Sequence, residues 1–352
     1  MKRGGMGMEE KFSGINTALD VRSMLLFADL QSDDSERLKQ RILAGFEVAL
    51  IKQNPKRKVF RLSCPDGTEL YLKLFVHRGI LSGPFRFYAF REYRTARYLE
   101  SLGLPMIHYL AWGRFRGGGF CLSEGIRAAV QARRYFFETL RGRPELRKPF
   151  LEQLAALTGQ MLRSRVRHPD FHLGNILFSG DSKRLYLADP WGVRRTFFRH
   201  EHDQVHLTLP WLEMSGSLPE EEQLAGMVEA GLASGPVSAR ILLERAGCEY
   251  ELRRKKHWAK LSARILSGKS KFATGVDTPE GRYFFRHTEW FEPPAELRLN
   301  PCWRAESFPT EREAREIWLN SFLKIPPVKN PPIAWLIART GSSVLFYDDR
   351  NQ

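Results

Sequence analysis

Residues 168–192 constrain this chain more than any other stretch. His168-Pro169-Asp170-Phe171-His172-Leu173-Gly174-Asn175 runs into the apolar triplet Ile176-Leu177-Phe178. The turn Ser179-Gly180-Asp181 then separates it from a second triplet, Leu185-Tyr186-Leu187, followed by Ala188-Asp189-Pro190-Trp191-Gly192. Two short apolar runs around a turn of this composition predict a β-hairpin. A hairpin brings its two open ends together, so Asn175 and Asp189 are expected side by side. An amide and a carboxylate so placed suit a hard cation such as Mg²⁺. Asp170, on the loop that leads into the hairpin, is placed to take a hydroxyl proton.

The sequence upstream reads as three strands, a helix and two strands. The strands are Val48–Lys52, Val59–Leu62 and Leu70–Phe75, the last after the turn Pro65-Asp66-Gly67. A helical stretch opens at Pro84 and ends near Gly103 and Pro105, and residues 106–123 give the last two strands around Gly117-Gly118-Gly119. Lys73 lies mid-strand between apolar neighbours, where an ammonium inside a lobe needs a partner. Glu92 shares a helical stripe with Ala89, Ala96 and Leu99, and a carboxylate on that packed stripe is best explained by pairing with Lys73.

This order of elements is that of a kinase small lobe. Asp170, Asn175 and Asp189 then have roles in phosphoryl transfer from ATP: Asp170 as base, Asn175 and Asp189 holding the Mg²⁺ on the phosphates. Between the first two strands, Gln53-Asn54-Pro55-Lys56-Arg57-Lys58 has no glycine, so it is either a solvated basic turn or a segment in which Lys56, Arg57 and Lys58 meet phosphates by charge instead of by a glycine-rich cradle. Glu124, after the fifth strand, marks the expected adenine-contacting hinge. His168 is expected to orient the loop backbone. His172, two positions after Asp170, is expected to approach the transferring phosphoryl group or the acceptor.

Composition narrows the partners. The net charge of +15 favours nucleic acid, anionic lipid or a phosphorylated substrate. No nucleic-acid-reading motif accompanies it, so nucleic acid is not expected. No window approaches 18 uncharged apolar residues, and the polar start lacks a signal h-region, so a cytosolic location is expected. Cys64, Cys121, Cys248 and Cys302 have no paired-ligand spacing and read as separate thiols.

A helix over 149–165 precedes the Asp170 loop, with Phe150, Leu154, Leu157 and Met161 at helical spacing, and helical pieces are expected at 219–233 and 236–246. The expected organisation is an N-terminal helical extension (1–44), a small lobe (45–124), a short large lobe (125–248) and an α+β region (249–352). That last region faintly repeats the small-lobe order, with Arg312-Glu313-Ala314-Arg315 standing like Arg91-Glu92-Tyr93-Arg94. Phe284 and Arg286 sit where a lysine would be wanted, and no second Asp170-like segment follows. A repeat there would be catalytically silent.

The motifs Tyr71-Leu72-Lys73, Arg91-Glu92-Tyr93, His168 to Leu177 and Ala188-Asp189-Pro190 resemble the bacterial lipopolysaccharide core kinases, the Kdo/heptose kinase family of the protein-kinase-like fold. Asp170-Phe171-His172, in place of the Asp-x-Lys of protein kinases, is typical of that group, as is the degenerate Asp189-Pro190-Trp191. The resemblance covers about 45–200 well. It implies an α+β two-lobe fold and ATP- and Mg²⁺-dependent phosphorylation of a Kdo or heptose hydroxyl of the inner core. The implied setting is the cytoplasmic face of the inner membrane, with an acidic lipid-linked saccharide and an anionic membrane surface as partners. The implied functional set is Lys73, Glu92, Asp170, Asn175 and Asp189. Two other readings stand beside it: a kinase of this fold acting on another small molecule or a protein, and a non-catalytic scaffold of envelope synthesis. A cationic antibiotic acceptor fits poorly with so basic a chain, and Val193 to Arg199 shows no protein-kinase anchoring motif. Oligomeric state is not legible.

Overall fold

The computed structural model describes residues 18–27, 29–32, 35–54, 57–76, 88–115, 118–196, 201–267, 273–278, 281–286, 303–320, 334–338 and 341–347. The chain divides into two compact units, Met1–Cys248 and Glu249–Gln352.

The first unit has two α+β lobes, with the small-lobe order of strands and helix that the sequence led us to expect. In the small lobe, α1 (Ala18–Phe27), β1 (Asp29–Ser32) and α2 (Ser35–Ala44) precede β2 (Glu47–Asn54), β3 (Arg57–Ser63) and β4 (Glu69–Val76). Then come α3 (Tyr88–Ser101), β5 (Tyr109–Phe115) and β6 (Gly118–Glu124). The six strands form one antiparallel sheet in the order β1-β5-β6-β4-β3-β2. The helical stretch expected from Pro84 begins, within the described residues, at Tyr88; Pro84 itself lies outside them.

Strand alternation sorts this sheet into two faces. Leu70, Leu72 and Leu74 point one way with Phe60, Leu62, Phe120 and Leu122, and their apolar layer is completed by Val21 and Leu25 of α1 and Leu38 and Ile42 of α2. Tyr71, Lys73 and Phe75 point the other way, toward α3 and the large lobe. Of the expected helical extension, residues 1–17 lie outside the described residues, and the described part of 18–44 packs into the small lobe. Its strand β1 pairs with the edge of β5, from Asp29 opposite Arg114 to Ser32 opposite Ala111. Asp-Leu-Gln-Ser has no β-branched or aromatic residue, so no local signal announces it. The open edge of β5 makes it a strand.

The large lobe starts with β7 (Ala129–Gln131), a short helix α4 (Ala132–Tyr135) and one π-helical turn, Phe136–Leu140. The long α5 spans Pro144–Arg163 and buries Phe150, Leu154, Leu157 and Met161. It begins a turn earlier than expected: Pro144 takes the favourable first position, and Pro149, which reads as a helix start, lies inside. The strand pair β8 (Val166–Arg167) and β11 (Arg194–Arg195) brackets the Asp170 loop. β9 (Ile176–Ser179) and β10 (Leu185–Leu187) form the hairpin, and β7 adds a third strand beside β9. Helices α6 (Glu201–Leu207), α7 (Leu209–Met214) and α8 (Glu220–Glu229) follow, and α9 runs from Pro236 to Leu266 as one helix, well past the expected end at 246 and through the charge run at 253–257. Among the described residues no helix is long and apolar enough to cross a membrane.

Two backbone bonds tie the hairpin to the small lobe. Leu187 N–H donates to the Pro105 carbonyl (2.7 Å), and Ile107 N–H donates to the Leu187 carbonyl (3.1 Å). The strand that leads into Asp189 is thus fixed against the segment joining α3 to β5.

The second unit contains β12 (Ala273–Thr278), β13 (Gly281–Arg286), β14 (Trp303–Phe308), α10 (Glu311–Asn320), β15 (Ala334–Ala338) and β16 (Gly341–Tyr347). Along the chain this is the order of the small lobe. In space it is not: the sheet runs β12-β13-β15-β16-β14, so the strand before the helix lies at an edge beside β16 and away from β13. The helix also turns a different face inward. Ala314 and Trp318 are buried, whereas Glu313, aligned with Glu92, is exposed. The faint sequence repeat reflects element order and not a second small lobe.

Candidate active site

Lys73 stands at the centre. Its Nζ donates to Glu92 Oε1 at 2.6 Å and to Asp189 Oδ1 at 2.9 Å. The same Glu92 oxygen accepts from the Tyr109 hydroxyl at 2.8 Å, and Glu92 is 1% exposed. Burial and the neighbouring Glu92 charge push the Tyr109 pKa well up, so its hydroxyl remains a donor. Glu92 pairs across to the sheet and not with Arg91 or Arg94. Arg57 reaches the second oxygen of Asp189 at 3.7 Å. Burial raises the Asp189 pKa, but the Lys73 and Arg57 charges outweigh it and hold the carboxyl below the usual range. Asp189 also adopts φ +50°, a left-handed conformation that costs a non-glycine residue about 1–3 kcal/mol. Strain of this kind persists where surrounding bonds over-determine it. Here they are the Lys73 pair and the Ala188 N–H bond to the Asn175 carbonyl (2.9 Å). That bond extends the hairpin ladder by one rung and sets Asn175 opposite the start of the Asp189 segment.

The Asp170 carboxylate is 71% exposed. Asn175 Nδ2 donates to the Asp170 carbonyl (2.9 Å) and to its Oδ2 (3.1 Å). His172 lies against Asp170 through Nε2, 3.4 Å from Oδ1, while its Nδ1 accepts from Gly174 N–H at 3.0 Å. With Nδ1 accepting, the ring proton sits on Nε2 and faces Asp170. The bond to His172 and the Asn175 amide hold Asp170 below the usual carboxylate pKa. The structure thus sets His172 against the Asp170 carboxylate; the sequence suggested contact with phosphoryl or acceptor. Gly174 makes this possible: a Cβ there would stand 2.8 Å from His172 Cε1.

His168 is 1% exposed, and its Nδ1 accepts from the Asp170 backbone N–H at 3.2 Å. It holds the loop backbone, and burial lowers its pKa to about 4. A base whose folded pKa lies below its unfolded value of about 6.5 stabilises the fold above that value. The contribution is lost as pH falls from 6.5 toward 4, because the unfolded chain then binds the proton that the folded one refuses. Replacing His168 by glutamine, which keeps an acceptor, is expected to flatten the stability profile across this window by on the order of 3 kcal/mol, read as the difference between wild-type and variant denaturant titrations at pH 7 and pH 4.5. Parallel profiles would refute the assignment.

A residue that the sequence did not flag anchors the same loop. Glu213 of α7 accepts the Leu173 backbone N–H through Oε2 at 2.8 Å and pairs with Arg133 through Oε1. Its only local signal is an acid set in the apolar run Leu209–Met214, which says nothing of its partner 40 residues upstream.

The nucleotide-binding expectations divide. Lys56 lies outside the described residues. Lys58 is 3% exposed and points with Phe60 and Leu62 into the layer under α1 and α2, away from the cleft, with burial lowering its pKa. Strand alternation gives the cleft to its neighbour Arg57, which is cross-strand from Phe75 on the Lys73 face. Of Arg57 and Lys58, the strand turns Arg57 to the Lys73 side and not Lys58. Glu124 closes β6, and its backbone N–H is already bonded to the His108 carbonyl (2.9 Å), as Gly125 N–H is to Glu69 (2.7 Å). An adenine contact through the Glu124 N–H is closed by that bond.

Among the described residues no three His, Cys, Asp or Glu side chains gather into a metal site. Mg²⁺ takes one or two carboxylates and fills its octahedron with phosphate oxygens and water. Asn175, with its nitrogen turned to Asp170, has its amide oxygen to offer, and Asp189 supplies an ionised carboxylate.

No protein-family model matches the sequence, and no curated protein sequence matches it. Among solved structures, the chain is similar to the crystal structure of an aminoglycoside-3'-phosphotransferase of type VIII, at 14% identity and a TM-score of 0.41, over 61% of this chain and 98% of that one.

Proposed function

We propose that the chain is an ATP-dependent phosphotransferase acting on a sugar hydroxyl, Kdo or heptose, of the lipopolysaccharide inner core. The observation that carries the reading is the position of Lys73, which bonds at once to buried Glu92 and to Asp189. A structural ion pair needs one carboxylate. The second, held ionised at the strained end of the hairpin beside Asn175, suits a metal-bearing acid.

Lys73 and Arg57 hold phosphate oxygens of the nucleotide, and Glu92 keeps Lys73 in place. Asn175 and Asp189 would hold Mg²⁺, which would neutralise charge that develops on the phosphates. Asp170 takes the acceptor hydroxyl proton as that oxygen bonds to the γ-phosphorus. The bond from phosphorus to the β–γ bridging oxygen breaks, and its electron pair leaves with ADP. His172 and Asn175 keep Asp170 oriented and charged. The net charge of +15 suits an acidic, lipid-held saccharide at an anionic membrane surface on the cytoplasmic side and disfavours a cationic acceptor.

The test is transfer of labelled phosphate from ATP to dephosphorylated lipopolysaccharide core by the purified full chain. Mg²⁺-dependent labelling of the core is expected. Tight MgATP binding without labelling would remove the acceptor assignment, and the absence of both would remove the enzyme reading.

A further inference from the structure

Two aromatic rings lie beside the ion-pair network without belonging to it. Trp191 follows Asp189 by two residues, and its ring centroid is 5.0 Å from that of Tyr88, with the planes tilted by 50°. Tyr88 opens α3 one turn before Glu92, on the same side of the helix. Trp191 and Tyr88 remain 37% and 39% exposed. A turn holds Trp191 in place: Val193 N–H donates to the Pro190 carbonyl (3.2 Å), and Gly192 takes φ +77°. Gly192 packs so closely on Pro169 that a Cβ would stand 2.9 Å from its Cγ. Trp191 is thus fixed between the helix that carries Glu92 and the loop that carries Asp170.

Arg91 supplies the charge. Its guanidinium carbon lies over the Trp191 ring, 5.7 Å from the centroid. A stacked guanidinium keeps its N–H donors directed outward in its own plane. Among the described residues it meets no carboxylate, and the exposed Arg194 and Arg195 follow the turn. The exposed parts of the Trp191 and Tyr88 rings, with the guanidinium edge of Arg91 next to them, match a sugar that carries an acid: its C–H face packs on the exposed aromatic surface, and its carboxylate accepts two parallel hydrogen bonds from Arg91. A neutral sugar can use only the first contact.

We propose that Trp191, Tyr88 and Arg91 form the acceptor subsite and select a carboxylated pyranose. This rests on the reading of the chain as a sugar kinase. Trp191 and Arg91 are specificity-determining residues, distinct from the set that holds the phosphates.

The test uses the full chain, with free Kdo as the carboxylated probe and a methyl heptoside as the neutral one, followed by saturation-transfer NMR, and with MgATP affinity measured in parallel by calorimetry. Wild type is expected to bind Kdo. Trp191→Ala and Arg91→Gln are each expected to weaken that binding about tenfold, with Trp191→Phe restoring most of it and MgATP affinity unchanged. Arg91→Gln is expected to leave heptoside binding as it was. Absence of Kdo binding to wild type, equal Kdo binding in both variants, or a parallel loss of MgATP affinity would each overturn the subsite; the last would make Trp191 a strut for α3. The transfer assay separates the two claims. Kdo binding that depends on Arg91, without transfer to core, supports the subsite and removes the acceptor assignment. Transfer to core with an unaltered acceptor KM in both variants removes the subsite and leaves the kinase.

Discussion

Asp170→Asn is expected to lower kcat for phosphate transfer about 10²- to 10⁴-fold, the usual contribution of a positioned general base. The asparagine is nearly the same shape. Its side-chain oxygen can still accept from Asn175 Nδ2, and the His168 bond to the backbone N–H at 170 is untouched. Because the carboxylate is 71% exposed, stability should change by no more than about 0.5 kcal/mol. The loss therefore belongs to kcat, with MgATP affinity retained. Single-turnover transfer and nucleotide titration on the same preparation check both halves. A variant that keeps kcat within a few-fold of wild type would remove Asp170 as the base. The His172 contact also bears on pH dependence. It holds Asp170 below the ordinary carboxylate range, so the base stays ionised through neutral and mildly acid pH. Its own acid limb falls below that range.

The second large effect concerns stability and is asymmetric. Lys73→Met leaves the Glu92 carboxylate buried with only the Tyr109 hydroxyl beside it, and its Oε2 already has no hydrogen-bond partner. Removing one member of a buried pair costs about 3–5 kcal/mol, because the remaining charge is uncompensated. Glu92→Gln removes the other member, yet Lys73 keeps Asp189 at 2.9 Å, and the cost should be about 1–2 kcal/mol. The double variant should recover much of the Lys73→Met loss, since no orphaned charge remains. Denaturant titrations of the three variants give the comparison. A larger loss from Glu92→Gln than from Lys73→Met would mean that Asp189 does not hold Lys73 in solution.

The hairpin was legible because local chemistry made it so. Two apolar triplets around Ser179-Gly180-Asp181 admit few arrangements, and they place Asn175 and Asp189 at neighbouring ends whatever surrounds them. The Lys73–Glu92 contact was legible for a different reason. Each is a charge on an apolar stripe, one of a strand and one of a helix, and burial of either demands the other. Three basic residues in a row at the start of β3 carry no sign of which alternates face the cleft. Only the partner register, with Lys58 opposite Leu74 and Arg57 opposite Phe75, decides it.

β1 and Glu213 were illegible in a stricter sense. Asp29 to Ser32 has no strand propensity of its own and is a strand because β5 has an open edge. Glu213 acts through a backbone N–H at Leu173 that sequence spacing cannot reveal. The repeat in the second unit shows the converse. Element order is written along the chain, but whether β14 lies beside β13 or beside β16 depends on how the sheet closes around α10.

By itself, then, the sequence determined the short-range geometry: the turn that joins β9 to β10, the alternation that turns Lys73 away from Leu72 and Leu74, and the helical stripe that buries Glu92. Period and turn chemistry act within a few residues, and composition records them. Tertiary structure alone decided which groups meet across distance: Arg57 with Asp189, Glu213 with the Asp170 loop, and Trp191 beneath Arg91. Those contacts depend on packing between elements far apart in the chain, and many pairings of equal chemistry are open to a sequence until the core closes on one.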